Sequence, residues 1–390
     1  MQRAAAILSS LALLAGASVS AASSAQAATT ASYYGAGDYQ VDATHQGNAG
    51  PALSAALKVK WTKDFGGTVS YPVIVGGRMY FTVQHLNDLG SDLYAVVATT
   101  GAKVWGPVAL AYGSTGYSAL SYDGGRVFAM IGNGNLRAFD AATGKLDWSV
   151  QLPYEGNFTS PPTASGGVVY VGGSGSGGKL YAVSESTGVV KWMQEVMNGA
   201  HSAPAVGGGG VYVSYSAELS YRFSTTGQLV WTHTAGGEGG GGRTAVLHGS
   251  QLWVRDDAGM TPAILDTATG KQVRTFQSAT APAFAGNTAF VVANDGLQAI
   301  NATTGKTLWN QHGDGGLESA PEVAGATVYI GSGFGKIFGY STTTGKQVWE
   351  ASTGATFVGP DEHNGSVLQG LQIGDGLLAV PATTRMTVFG

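Results

Sequence analysis

Seven tryptophans, Trp61, Trp105, Trp148, Trp192, Trp231, Trp309 and Trp349, recur at gaps of 44, 43, 44, 39, 78 and 40 residues. The double gap is filled at Arg274, where the surrounding phrase returns without its indole. A period near 41 residues describes one supersecondary unit copied in series, which constrains the fold before any other argument.

The phrase around each rung is constant in kind. It reads Ala138-Phe-Asp140-Ala-Ala-Thr143-Gly144-Lys-Leu-Asp-Trp148, and Thr-Gly pairs return at 187–188, 226–227, 269–270, 304–305 and 344–345. An alternating apolar run, a polar turn whose glycine takes positive φ, and a second alternating run make a strand, a tight turn and a strand. Ahead of each phrase lie two more strand signals, such as Pro204-Ala-Val, four glycines, then Val211-Tyr-Val-Ser-Tyr. Four strands per unit predict a propeller blade. Three strand signals follow Trp349, ending at Met386-Thr-Val-Phe389, and Leu57-Lys-Val-Lys-Trp61 supplies a fourth. The fold expected is all-β: an eight-bladed β-propeller of four-stranded antiparallel blades, closed by the N-terminal strand pairing with the C-terminal three. Such closure removes the exposed edges of an open array.

A ring of repeats accounts for 390 residues in one large domain, and 62 glycines then mark turns and close approaches rather than disorder. Residues 1–27 read as a signal peptide cut after Ala27, with Arg3 ahead of an Ala/Leu run; 28–50 read as a tether or lead-in; 51–390 are the propeller. A net charge of −4 gives no support to nucleic-acid binding. The absence of cysteine excludes disulfides, thiolate metal sites and a lipidated N-terminal cysteine, and no transmembrane segment is expected.

The phrase Ala-x-Asp-x-x-Thr-Gly-x-x-x-Trp, clearest at Ala138–Trp148 and close at Ala299–Trp309, resembles the pyrroloquinoline-quinone (PQQ) repeat. That repeat builds quinoprotein alcohol dehydrogenases and non-enzymatic relatives such as the lipoprotein of the outer-membrane barrel-assembly machine. The resemblance spans residues 38–390, and Asp38–Gly47 looks like the family's lead-in. It implies that each repeat tryptophan docks on the Thr-Gly backbone of a neighbouring unit. Arg274 then marks either a weaker interface or a guanidinium stacked in the indole's place. The dehydrogenases it resembles are longer, and many carry a disulfide of adjacent cysteines over the cofactor and a calcium ion held by Glu, Asn and Asp. This chain has no cysteine and no evident calcium loop, so neither PQQ nor calcium is expected.

Function is then sought where the copies differ. The residues opening each inner strand are Tyr71, Tyr117, Phe158, His201, Arg243, Glu318 and His363, with Asp314, Asp361 and Glu362 close by. Neighbouring loops add Asp256, Asp257, Asn294, Asp295 and the Gln84–Asp92 segment, while the glycine run 236–242 around Glu238 reads as a mobile loop. These unlike polar and aromatic groups form a candidate ligand site at a channel mouth, the alternative being solvated loop residues. His201, His363 and Glu318 offer a metal or acid–base set, although no local spacing supports one. The expected function is a secreted, non-catalytic, monomeric propeller that binds a protein or cell-envelope glycan on its loop face. The rivals are a reduced quinoprotein oxidoreductase, a hydrolase or lyase using the Glu318–His201–His363 side, and a scaffold docking partners on a strand edge.

Overall fold

A computed structural model of the chain describes residues 35–88, 90–111, 116–215, 219–234, 242–255, 262–294, 296–357, 359 and 367–390. The segment read as a signal peptide, with His363, Asp361, Glu362, Asp256, Asp257, Asp295 and Glu238, lies outside the described residues.

Eight antiparallel sheets succeed one another along the chain, each running outward from its first strand. The third blade is typical: Thr163–Ser165 innermost, then Val168–Gly173, Lys179–Ser184 and Val190–Glu195. Its second strand is buried throughout, because blades cover both of its faces, whereas its outer strand alternates with solvent. In the eighth blade the outer strand comes from the other end of the chain. Val59–Asp64 pairs antiparallel with Arg385–Phe389, Thr62 opposite Thr387, and this closes the ring. The first blade carries a fifth short strand: Gly67–Val69 and Val73–Val75 both pair with Arg78–His85. The break between them holds Pro72, which has no N–H to give to a ladder.

Each repeat indole docks on the turn of the following unit. Trp105 Nε1 donates to Ala141 O at 3.0 Å, and a Cβ on Gly144 would fall 2.6 Å from the Trp105 ring. With φ at +73°, Gly144 meets both demands, the left-handed backbone and the close aromatic approach. Trp61, Trp148, Trp192, Trp231 and Trp309 repeat this, donating to Ala98, Glu185, Thr225, Thr267 and Thr342. Trp349 has no following Thr-Gly turn and donates to Leu57 O at 3.4 Å. At the broken rung the guanidinium takes the indole's seat. Arg274 Nη2 donates to Ala302 O at 2.6 Å, Nη1 donates to Thr303 O, and Nε lies 3.0 Å from where a Cβ on Gly305 would stand. Desolvation there lowers the Arg274 pKa.

Candidate functional site

Every inner strand turns one hydrogen-bonding edge toward the ring's axis, so eight rows of backbone groups need partners. One donor recurs in all eight blades, two residues before the first turn residue: the N–H of Ile74, Tyr122, Ala164, Val206, Leu247, Phe284, Val323 and Ile373. Residues 36–47 satisfy seven of them. Ala36 O, Gly37 O, Ala43 O, Thr44 O, Gln46 O and Gly47 O accept from Ile74, Tyr122, Val206, Leu247, Phe284 and Val323 at 2.6–3.0 Å. Asp38 Oδ1 accepts from Ala164 at 3.0 Å. The eighth donor, Ile373 N–H, is taken by Glu322 Oε2 at 2.6 Å. The lead-in is thus a hub seated on every blade at the end of the axis where the Thr-Gly turns lie.

Two carboxyl groups replace main-chain oxygens in this hub, and both are buried. Burial pushes the Glu322 carboxyl well above the usual range, opposed by the Ile373 N–H. Asp38 is pushed up by burial first and then by Asp42, Asp123 and Glu185, opposed by the Ala164 N–H. Gln372 Nε2 donates to Asp38 O at 2.8 Å, and His45, fully buried, sets Nδ1 2.7 Å from Tyr39 O and Nε2 3.0 Å from Pro204 O. The segment bends hard to do this: Gln40, Val41 and His45 have φ of +56°, +79° and +59°. A β-branched residue in that region costs roughly 1–3 kcal/mol, which the surrounding hydrogen bonds must sustain.

The opposite face carries the links between second and third strands and between successive blades. Here the residues named from sequence divide. Tyr71, Tyr117 and Phe158 are buried. Tyr71 donates its hydroxyl to Leu120 O and packs 5.3 Å from the Tyr39 ring, against the hub. Phe158 fills the space left by Gly134 and Gly173 in the blade core. Tyr117 sits in the cluster of the first two blades. Arg243 and His201 are half-buried; Arg243 Nη1 reaches Ala279 O of the next blade at 2.7 Å. Arg255, not singled out by the repeat, also reaches Ala279 O and is buried. Glu318 is exposed beside Gly333, and Asp314 accepts from Ser332 Oγ at 2.9 Å. In the Gln84–Asp92 segment, His85 lies 3.1 Å from Asp92 and 2.8 Å from Asp88. Those two contacts, Asp92 first, raise the His85 pKa.

The loop face also presents large apolar side chains to solvent: Leu86, Tyr154, Met197 and Phe334, each more than half exposed, up to 72 % at Phe334. Lys179 Nζ stands 5.6 Å over the Tyr154 ring. Isolated exposed apolar residues are ordinary, and the outer strands expose others, among them Leu146, Val189, Leu229, Val273, Leu308 and Val348.

The PQQ and calcium implied by the dehydrogenase resemblance find no seat at the turn end among the described residues. The turn end of the axis is filled by the hub, whose carboxyl groups are committed to backbone donors. Among the described residues no three His, Cys, Asp or Glu side chains converge as metal ligands.

The family model described as outer membrane protein assembly factor BamB matches residues 132–239 and 216–374. A tetrathionate hydrolase of Acidithiobacillus ferrooxidans is 23 % identical over 284 residues, covering 64 % of this chain and 55 % of that protein. The chain therefore spans about half the length of this curated relative. The crystal structure of BamB from Moraxella catarrhalis superposes with a TM-score of 0.62 at 16 % identity, over 86 % of this chain and 99 % of that one. The quinohemoprotein alcohol dehydrogenase of Comamonas testosteroni gives 0.70 at 14 % identity, over 91 % and 80 %. At these identities the two structures speak for the propeller alone.

Proposed function

The chain belongs to the PQQ-repeat propeller family described by outer membrane protein assembly factor BamB, and from that premise we propose that it is a non-catalytic binding scaffold that docks a protein on its loop face. The observation carrying this reading is the asymmetry of the ring. At one end the recurring inner-strand donor of each blade is consumed within the chain, while the links at the other end leave Leu86, Tyr154, Met197 and Phe334 exposed. Side chains of this kind anchor interfaces when they lie among polar neighbours, here Lys179 over the Tyr154 ring and Glu318 beside the Gly333 that precedes Phe334. The reading includes export, with residues 1–27 removed, and a monomeric ring. Among the described residues no helix is long and apolar enough to cross a membrane.

Site-specific photocrosslinking in the native cell tests it. A crosslinker at Tyr154 or Met197 is expected to give a discrete protein adduct, lost when Leu86, Phe334 and Glu318 are changed together to serine. Adducts arising only from turn-face positions such as Thr226 would sink the loop-face reading.

A further inference from the structure

A cavity of about 640 Å³ opens on the turn face between the third and fourth blades. That lies within the roughly 300–1,000 Å³ of small-molecule sites. Tyr170, Trp192 and Val168 give it an apolar lining, Gly210 lines it from the fourth blade, and Lys191 and Thr225 add polar groups.

The repeat supplies its own controls for this space. Between the first and second blades the equivalent seat is taken by Arg78, whose Nη1 donates to Ala141 O at 3.0 Å. That same oxygen also accepts from Trp105 Nε1 and from the Tyr80 hydroxyl. Between the fourth and fifth, Arg222 Nη1 joins Trp231 on Thr267 O, at 3.0 and 2.9 Å. Between the fifth and sixth, Gln251 Nε2 joins Arg274 on Ala302 O. At these three junctions the carbonyl behind the docked rung receives a second donor from a polar side chain lying in the groove, whereas Ala98 O, Glu185 O and Thr342 O at other junctions accept the indole alone among the described residues.

Between the third and fourth blades that side chain is also missing, and there the groove is an open cavity. Val168 stands where Arg78 and Arg126 stand in the first two blades. Thr225 O accepts Trp192 Nε1 at 3.0 Å and no second donor among the described residues. Lys191, the charged residue lining the cavity, is exposed and makes no ion pair among the described residues. The space therefore offers a carbonyl with a lone pair to fill, an ammonium group, a hydroxyl and an apolar lining.

We propose that this cleft binds an acidic sugar, a hexuronic acid or a short oligomer containing one. A ring hydroxyl donates to Thr225 O as Arg78 does to Ala141 O, the carboxylate pairs with Lys191, and the C–H face of the ring lies toward Val168 and Tyr170. A neutral sugar offers Lys191 only uncharged hydroxyl acceptors, and a simple carboxylate lacks the hydroxyl donor, so a ring carrying both groups fits best. The inference stands apart from the loop-face reading, since it concerns the other face and a different ligand.

Ligand-observed saturation-transfer NMR on the full chain tests it, with glucuronic acid and its β-1,4 disaccharide as probes and glucose and cellobiose as controls. The expected result is saturable transfer to the acidic sugars, with at least tenfold weaker binding of glucose and cellobiose. Lys191→Glu, an exposed substitution, should weaken the acidic sugars tenfold or more without changing the far-ultraviolet circular dichroism. Val168→Arg, which restores the side chain of the first two blades, should abolish the signal; if it fails to fold, the lysine variant decides alone. No saturable transfer from glucuronic acid, or equal binding by Lys191→Glu and the parent, would overturn the proposal.

Discussion

The two ends of the ring's axis solve the same geometric problem in opposite ways. At the turn end, eight inward-facing backbone donors meet eight acceptors of the chain itself, two of them buried carboxyl groups. At the loop end the links are free of that constraint, and large apolar side chains are left to solvent. An edge that must be satisfied in every copy recruits a continuous segment of chain. A face with no such demand is open to variation and hence to binding.

The contrast is most severely tested by deleting residues 35–50. Seven buried donors would lose their acceptors at about 1–3 kcal/mol each, a sum comparable with the whole stability of a domain, roughly 5–15 kcal/mol. The variant is expected to lose its cooperative thermal transition, and retention of a parent-like melting temperature would mean that the hub is ornamental. Next, Glu322→Leu removes one acceptor and leaves the Ile373 N–H buried. It should cost about 1–3 kcal/mol in urea unfolding, whereas Glu318→Leu on the loop face should stay within about 0.5 kcal/mol.

The hub also makes stability depend on pH in a defined direction. Both Asp38 and Glu322 have folded-state pKa values raised above those of the unfolded chain, so the folded state binds more protons between the two. Stability should accordingly be highest below about pH 4, where unfolded carboxyl groups titrate, and fall as pH rises toward the folded values. Other carboxylates superpose their own dependence; Asp140 and Asp266, held low by their Thr-turn hydrogen bonds, act in the opposite sense. The diagnostic is a difference. Glu322→Gln should flatten the fall relative to the parent, and an unchanged slope would show that this carboxyl does not titrate with folding. The smallest effect belongs to the loop face. Leu86→Ser with Phe334→Ser should leave the melting temperature within a few degrees, about 0.5 kcal/mol per site, while weakening the photocrosslinked adduct at Tyr154.

The architecture was legible because its cause is repeated. An indole, a positive-φ glycine and a polar turn recur in copy after copy, and the ring follows from counting them. The hub was less legible because it is written once. Asp38–Gly47 has no period, and its backbone rather than its side chains makes most of the contacts. One signal was present: Glu322 and Gln372 open inner strands at the position where other copies carry Val73, Ala205, Val246 and Ala283. Ser121 and Thr163 hold the same register with small hydroxyls, and a carboxyl and an amide there mark a larger buried polar demand. The residues opening the inner strands were read as a channel mouth by position alone. Side chains there alternate toward neighbouring blades, which is why Tyr71, Tyr117 and Phe158 pack inside while Glu318 reaches solvent.

The hub also fixes an order of events. Gly47 binds Val323, and Asp38 O accepts from Gln372, 334 residues away. These residues are made early, yet their partners are distributed over nearly the whole length that follows. Until the eighth blade exists, the segment cannot be fully seated, and the inner edges of finished blades wait unpaired. Contacts of such long range slow folding and leave strand edges open to wrong pairing. A stalled chain truncated before residue 372 would therefore carry its closing piece with one of its docking places unmade, and in that state it would most need a chaperone.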